Sequence, residues 1–213
     1  MFENNQLRHR CIVAQAFASL PGRSVAGTIL GGKEVMKEAL YDLAAIEGVK
    51  EFMISRDHTI ATAESVTSGH IQAALSLAAE ASRFFQGGMT AYNLSQKTRH
   101  LHVDPLHAMT CNSVSPAVAD EMALNALTLF SSDWALSITG YASPVPELGV
   151  KDLFAFYAIA FQQEVVCRGK VDSEDHGPLH VQVFFANHVI REFNRYLLQC
   201  GMAADRDGDS VSR

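Results

Sequence analysis

The chain has 213 residues, with 17 Lys plus Arg against 23 Asp plus Glu for a net charge of −6, and 48% hydrophobic residues. That size and apolar content predict one globular core built without disulfides or metals, and they exclude a disordered chain. The acidic balance argues against a broad nucleic-acid surface, and the longest apolar stretch, around Leu153 to Phe161, is far too short to span a membrane.

In chain order, residues 1–32 read as an N-terminal extension. Cys11 to Ala14 can form a short strand, but Pro21-Gly22 and Gly31-Gly32 interrupt it. The opening MFENNQLRHRC lacks the basic-then-apolar layout of a secretory signal. Residues 33–200 carry the domain. Val35, Met36, Ala39, Leu40, Leu43 and Ala44 make a helical stripe that Gly48 is expected to end. His58 to Ala63 reads as a strand running into Glu64-Ser65-Val66-Thr67-Ser68-Gly69, and a long helical pattern follows from Ile71 to Ser82. Gly88 to Tyr92 is expected to be a strand and Ser95 to His102 a short helix. Ser115-Pro116 opens another helix, with the serine as N-cap and the proline in the first turn. Its stripe is Val118, Met122, Ala126 and Leu129. Trp134 to Thr139 is a strand ending at Gly140. Leu153 to Phe161 and Glu164 to Val171 form a strand pair across Gln162-Gln163, and a last helix runs from Pro178 to Cys200. Residues 201–213 read as a polar, flexible tail. Helices alternate with strands while the late pair is antiparallel, so the expected fold is α/β: a three-layer α/β/α sandwich with a mixed, partly antiparallel sheet.

Four cysteines, Cys11, Cys111, Cys167 and Cys200, are scattered without a CxxC pair, a pattern suited to free thiols in a reducing cytoplasm. Nine histidines include His100, His102 and His107, and His176 with His180, but none has a cysteine or carboxylate at metal-ligand spacing. No P-loop, GxGxxG or GxSxG pattern occurs.

Three segments can carry chemistry. The turn from Glu64 to Gly69 is either a well-capped helix start or the seat of a hydroxyl nucleophile or anion cradle, where unpaired N–H groups and a glycine admit a ligand. Tyr92 and Lys97 are either ordinary strand and helix residues or a proton-handling pair. A lysine serves as a base to a serine only when neutral, which needs burial or neighbouring positive charge. Ser137 to Pro144 is either a surface turn or a loop that closes over a ligand beside Ser65.

Four ordered blocks resemble the CinA C-terminal domain family, whose pattern is A-E-S-C-T-G-G, G-G-x-x-x-Y-S-N-x-x-K, A-V-S-x-x-V-A-x-x-M-A and S-I-T-G-I-A-G-P. Here they read Ala63 to Gly69, Gly87 to Lys97, Asn112 to Ala123 and Ser137 to Pro144. The resemblance implies a cytoplasmic amidohydrolase that converts nicotinamide mononucleotide and water to nicotinic acid mononucleotide and ammonia, with no metal or organic cofactor. It implies Ser65 as nucleophile, Lys97 as base and then acid, and Tyr92 holding the lysine or relaying its proton. Backbone N–H groups near Thr67 and Ser68 would bind an oxyanion or a phosphate. Glu64, Thr67, Ser68, Gly69, Thr139 and Gly140 would border the substrate. Val66 stands for the family cysteine, Ser68 for a glycine, Leu94 for an asparagine and Ser143 for a glycine, and Glu174-Asp175-His176 replaces a segment with arginine. These departures imply an altered ligand site around an intact Ser–Tyr–Lys set. The alternatives are a catalytically inactive nucleotide-binding or assembly module, or an amidase for another small amide. The expected partners are a small nucleotide and, through residues 1–32, further copies of the chain, but neither nucleic acid nor membrane.

Overall fold

Alternation of large and small side chains along the strands decides how this sheet is covered. A computed structural model describes residues 40–174 and 177–208, excepting the side chains of 201–208; the expectations for residues 1–32 lie outside them. The first helix begins at Leu43 after an Asp42 cap, with Leu40 and Leu43 of the expected stripe exposed and Ala45, Ile46, Val49 and Met53 buried instead. Five strands form one sheet: β1 (Ile60–Glu64), β2 (Phe85–Thr90), β3 (Trp134–Gly140), β4 (Leu153–Phe161) and β5 (Glu164–Ser173). Their order is β2-β1-β3-β4-β5. β1 pairs parallel with both β2 and β3, whereas β3, β4 and β5 pair antiparallel in succession. The sheet is therefore mixed, as its sequence pattern implies.

Along β3, Trp134, Leu136 and Ile138 enter one core while Ala135 enters the other; along β4, Leu153, Tyr157 and Ile159 oppose Ala158 and Ala160. The large-residue face is covered by α1 (Leu43–Arg56), α2 (His70–Ser76) and α6 (Pro178–Gly208), with Val49, Met53, Phe185 and Phe193 buried among the strand residues. The small-residue face is covered by α3 (Leu94–Leu101), α4 (Pro105–Thr110) and α5 (Pro116–Phe130). Ala119, Ala123 and Ala126 of α5 belong to the same core as the strand alanines, so this helix lies close to the sheet. The outcome is a three-layer α/β/α arrangement.

Several local expectations change. Gly48 lies inside α1 rather than at its end, because a Cβ there would meet Asn194 Oδ1 at 2.3 Å; the glycine lets α1 and α6 approach. The helix stops instead at Asp57, in left-handed conformation at φ 55°. The pattern from Ile71 to Ser82 is not one helix: α2 ends at Ser76, and Glu80 at φ 60° precedes a single 3-10 turn, Ala81–Arg83. Leu129 points outward while Leu127 is buried. The short helix α4 was not anticipated, and α6 continues eight residues beyond Cys200 to Gly208. Ser115 does cap α5, its hydroxyl accepting from Val118 N–H at 3.2 Å. Gln162 and Gln163, at φ 47° and 72°, form the tight hairpin turn.

The carboxyl ends of β1, β2 and β3 lie along one edge of the sheet, the edge at which open α/β sheets place ligands. Close strand pairing there leaves no room at Gly140, where a Cβ would meet Phe154 O at 2.2 Å and Ala155 Cα at 2.5 Å. The substitution Gly140→Ala therefore parts β3 from β4 and costs about 1–3 kcal/mol, lowering the thermal midpoint by several degrees. A midpoint within about 1 °C of wild type would contradict this packing.

Candidate active site

Buried donors and acceptors define this site, and they can be traced one by one. Glu64 closes β1 with no exposed surface. One carboxylate oxygen accepts from the Thr67 hydroxyl at 2.6 Å and from the N–H groups of Gly69 at 3.0 Å and Ile71 at 3.1 Å; the other accepts from Gln72 N–H at 2.8 Å. The chain's own carboxylate thus occupies the place at the start of α2 where an external anion would bind. Glu64 and Thr67 are thus buried and bonded to each other, and the N–H groups of Gly69, Ile71 and Gln72 are taken by the Glu64 carboxylate.

The strand, turn and helix so held present Ser65. Its N–H donates to Ile138 O at 3.0 Å, continuing the β1–β3 ladder by one residue, and its carbonyl accepts from Ser68 N–H at 3.2 Å. Ser68 itself has φ 51°, a left-handed conformation that explains why the family pattern carries glycine at this position. Ser65 is 5% exposed and opens on a cavity of about 440 Å³.

Lys97 reaches the same cavity from the middle of α3, although it is only 2% exposed. Its Nζ donates to Ser113 O at 2.9 Å and to Thr139 Oγ1 at 2.8 Å, and that hydroxyl in turn donates to Ser113 O at 2.8 Å. Asn112 and Ser113, at φ 49° and 60°, form a left-handed pair in the segment that supplies this carbonyl. Burial pushes the Lys97 amine down to about 8, with the nearby Cys111 thiol acting in the opposite direction. A neutral amine has two N–H bonds and one lone pair. Two internal acceptors take the N–H bonds, which leaves the lone pair to receive a proton.

The structure brings Ser65, Lys97, Tyr92 and Gly140 onto one cavity wall, with Tyr141, Ala142 and Ser143 of the loop after β3 beside them. Among the described residues, no hydrogen bond joins the Ser65 hydroxyl directly to the Lys97 amine, a contact that commonly tightens only with substrate in place. Tyr92 is 69% exposed at the rim. Among the described residues it makes no hydrogen bond to Lys97, whose amine is held by Ser113 O and Thr139 Oγ1. Ser68 and Gly69 are not part of the cavity lining; Ser68 is exposed, and its hydroxyl accepts from Nε2 of the lining residue Gln182 at 3.5 Å.

Sequence reasoning missed Ser113, whose contribution is a carbonyl and carries no side-chain signal. It also missed Gln182 and Pro178 of α6, which line the cavity from far along the chain. Asn112, whose Nδ2 donates to the Tyr141 hydroxyl at 3.1 Å, ties two parts of the wall together. Among the described residues no group of three or more His, Cys, Asp or Glu is arranged to hold a metal ion, and no helix is long and apolar enough to cross a membrane.

A family model for the CinA C-terminal domain matches residues 43–194. The chain belongs to the CinA C-terminal domain family. A CinA-like protein of Synechocystis is 31% identical over 79% of this chain and 41% of its own length, and one of Picosynechococcus is 29% identical over 82% and 42%. The chain thus spans about four-tenths of the length of these curated relatives. A CinA superfamily structure from Klebsiella pneumoniae superposes with a TM-score of 0.66 at 25% identity, covering 73% of this chain and 97% of that one. One from Enterobacter cloacae gives 0.69 at 21% identity, over 80% and 99%, a likeness of fold. In this CinA domain all four sequence blocks meet at the carboxyl edge of the parallel strands.

The buried lysine has a consequence for stability. A free lysine titrates near 10.4, above its value of about 8 in the fold, so between these pH values the unfolded chain binds more protons. Below pH 8 the fold carries the full cost of a buried ammonium; that cost is relieved as pH rises toward 10. Relative to Lys97→Met, the wild-type protein therefore gains about 2–3 kcal/mol in denaturant unfolding between pH 7 and pH 10. Parallel stability curves for the two proteins would contradict this.

Proposed function

We propose that this CinA domain is an amidohydrolase that deamidates nicotinamide mononucleotide to nicotinic acid mononucleotide and ammonia by a Ser65/Lys97 mechanism. The observation that carries the reading is the buried Lys97 amine, whose two N–H positions are occupied by Ser113 O and Thr139 Oγ1 beside a cavity shared with Ser65. Such an amine accepts a proton along one direction only.

Neutral Lys97 takes the Ser65 hydroxyl proton as Oγ attacks the carboxamide carbon. The tetrahedral adduct collapses when the Lys97 ammonium returns a proton to the departing nitrogen, releasing ammonia and leaving a Ser65 ester. Water then attacks the ester with Lys97 again as base, freeing the carboxylic acid and the serine. A cavity of about 440 Å³ is of the size that holds small ligands. Asn93, Asn112, Gln182 and Tyr92 on its wall supply hydrogen-bonding groups for ribose hydroxyls and carboxamide. The steps as written need no metal.

Ammonia release from nicotinamide mononucleotide tests the reading. Activity rises through pH of about 8 to a plateau as Lys97 loses its proton, and Ser65→Ala and Lys97→Ala each lower it at least about 10³-fold. Tight nucleotide binding with no ammonia released at any pH would instead make the domain a binding module.

A further inference from the structure

An amide hydrolase must stabilise the oxyanion that forms on the carbonyl oxygen, and the donor for it can be found by accounting for the backbone N–H groups around the nucleophile. Ser65 N–H is held by Ile138 O at 3.0 Å and Ser68 N–H by Ser65 O at 3.2 Å. Gly69, Ile71 and Gln72 donate to the Glu64 carboxylate at 3.0, 3.1 and 2.8 Å. His70 N–H is held by Thr67 O at 3.0 Å and Ala73 N–H by Gly69 O at 2.9 Å. Between Ser65 and Ala73, only the N–H groups of Val66 and Thr67 find no acceptor among the described residues. Thr67 is fully buried, its hydroxyl turned onto Glu64, and it is absent from the cavity wall; Val66 lies on that wall next to Ser65.

Resting on the amidohydrolase reading, we infer that the Val66 backbone N–H is the oxyanion donor of this site. It belongs to the turn rather than to α2, whose own first N–H groups Glu64 has claimed. The donor one residue after a nucleophile moves with it, so the turn that presents Ser65 also aims the N–H at the carbonyl under attack. Glu64 is the positioning residue for both: by gathering the neighbouring donors it leaves one N–H unclaimed at the cavity. Valine in place of the family cysteine is silent in this role, since every residue but proline keeps the donor.

The test replaces the Val66 amide with an ester in the full chain, by incorporating the α-hydroxy acid analogue of valine at position 66. The expected result is a kcat about 10²–10³-fold lower, with KM within about threefold of wild type. Because that N–H has no acceptor among the described residues, the thermal midpoint falls only by the weakening of the Ser65 carbonyl that accepts from Ser68 N–H, less than for a lost bond to Glu64. The same replacement at Gly69, whose N–H is bonded to Glu64, lowers the midpoint. A fluorophosphonate probe mapped on the wild-type protein separates failure of the oxyanion assignment from failure of the hydrolase reading. Labelling at Ser65 with ammonia release, but an undiminished kcat in the Val66 ester, overturns the oxyanion assignment alone. No labelling and no ammonia from wild type overturns the amidohydrolase reading and this assignment with it.

Discussion

A lysine with almost no exposed surface is the constraint around which this molecule is arranged. An ammonium group there lacks water, and burial alone drives the amine toward neutrality. What the fold adds is direction. Ser113 O and Thr139 Oγ1 come from the α4–α5 connection and from β3, and they fix both N–H bonds of the neutral amine. Mere burial would lower the proton affinity equally; only this pair of acceptors determines where the lone pair points. The left-handed Asn112–Ser113 pair and the close packing at Gly140 are the backbone concessions that keep both acceptors in place.

The opposite wall depends on a buried charge of the other sign. Glu64 accepts four hydrogen bonds from the turn and helix that follow it, so the strand end, the Ser65 turn and α2 form one bonded unit. A carboxylate in that position satisfies donors that would otherwise attract an anionic ligand, and it leaves the cavity's polarity to uncharged hydroxyl and amide groups and to Lys97. The two walls are therefore built on different terms: an acid whose oxygens are taken by four donors, and an amine that burial pushes toward neutrality.

Much of the architecture was legible because it follows from periodicity and from turn chemistry. The strand of alternating Trp134, Leu136 and Ile138, the Ser115-Pro116 helix start and the Gln162-Gln163 hairpin are local signals that tertiary packing had no reason to override. Gly48 misled because a glycine that ends a helix and one that admits a second helix look identical in sequence; only the position of Asn194 separates them. The same limit applies at the site. Ser65 and Lys97 were visible as reactive types in an ordered pattern. Glu64 and Thr139 were visible too, but their internal bonds, to the start of α2 and to Lys97, were not, since those depend on what each side chain faces in the fold. Tyr92 drew attention as a polar aromatic near the lysine, yet it lines the cavity largely exposed. Ser113 and the Val66 N–H act through the backbone, where residue identity says nothing.

Catalysis by this site requires Lys97 to titrate far below a normal lysine while its amine remains held inside the protein. Its Cε resonance, followed by NMR in protein carrying ¹³C-labelled lysine and assigned with Lys97→Met, measures this without any substrate. The account requires a midpoint of about 8. A midpoint near 10.4, the value of a lysine in water, would mean that the amine stays charged and cannot serve as the base.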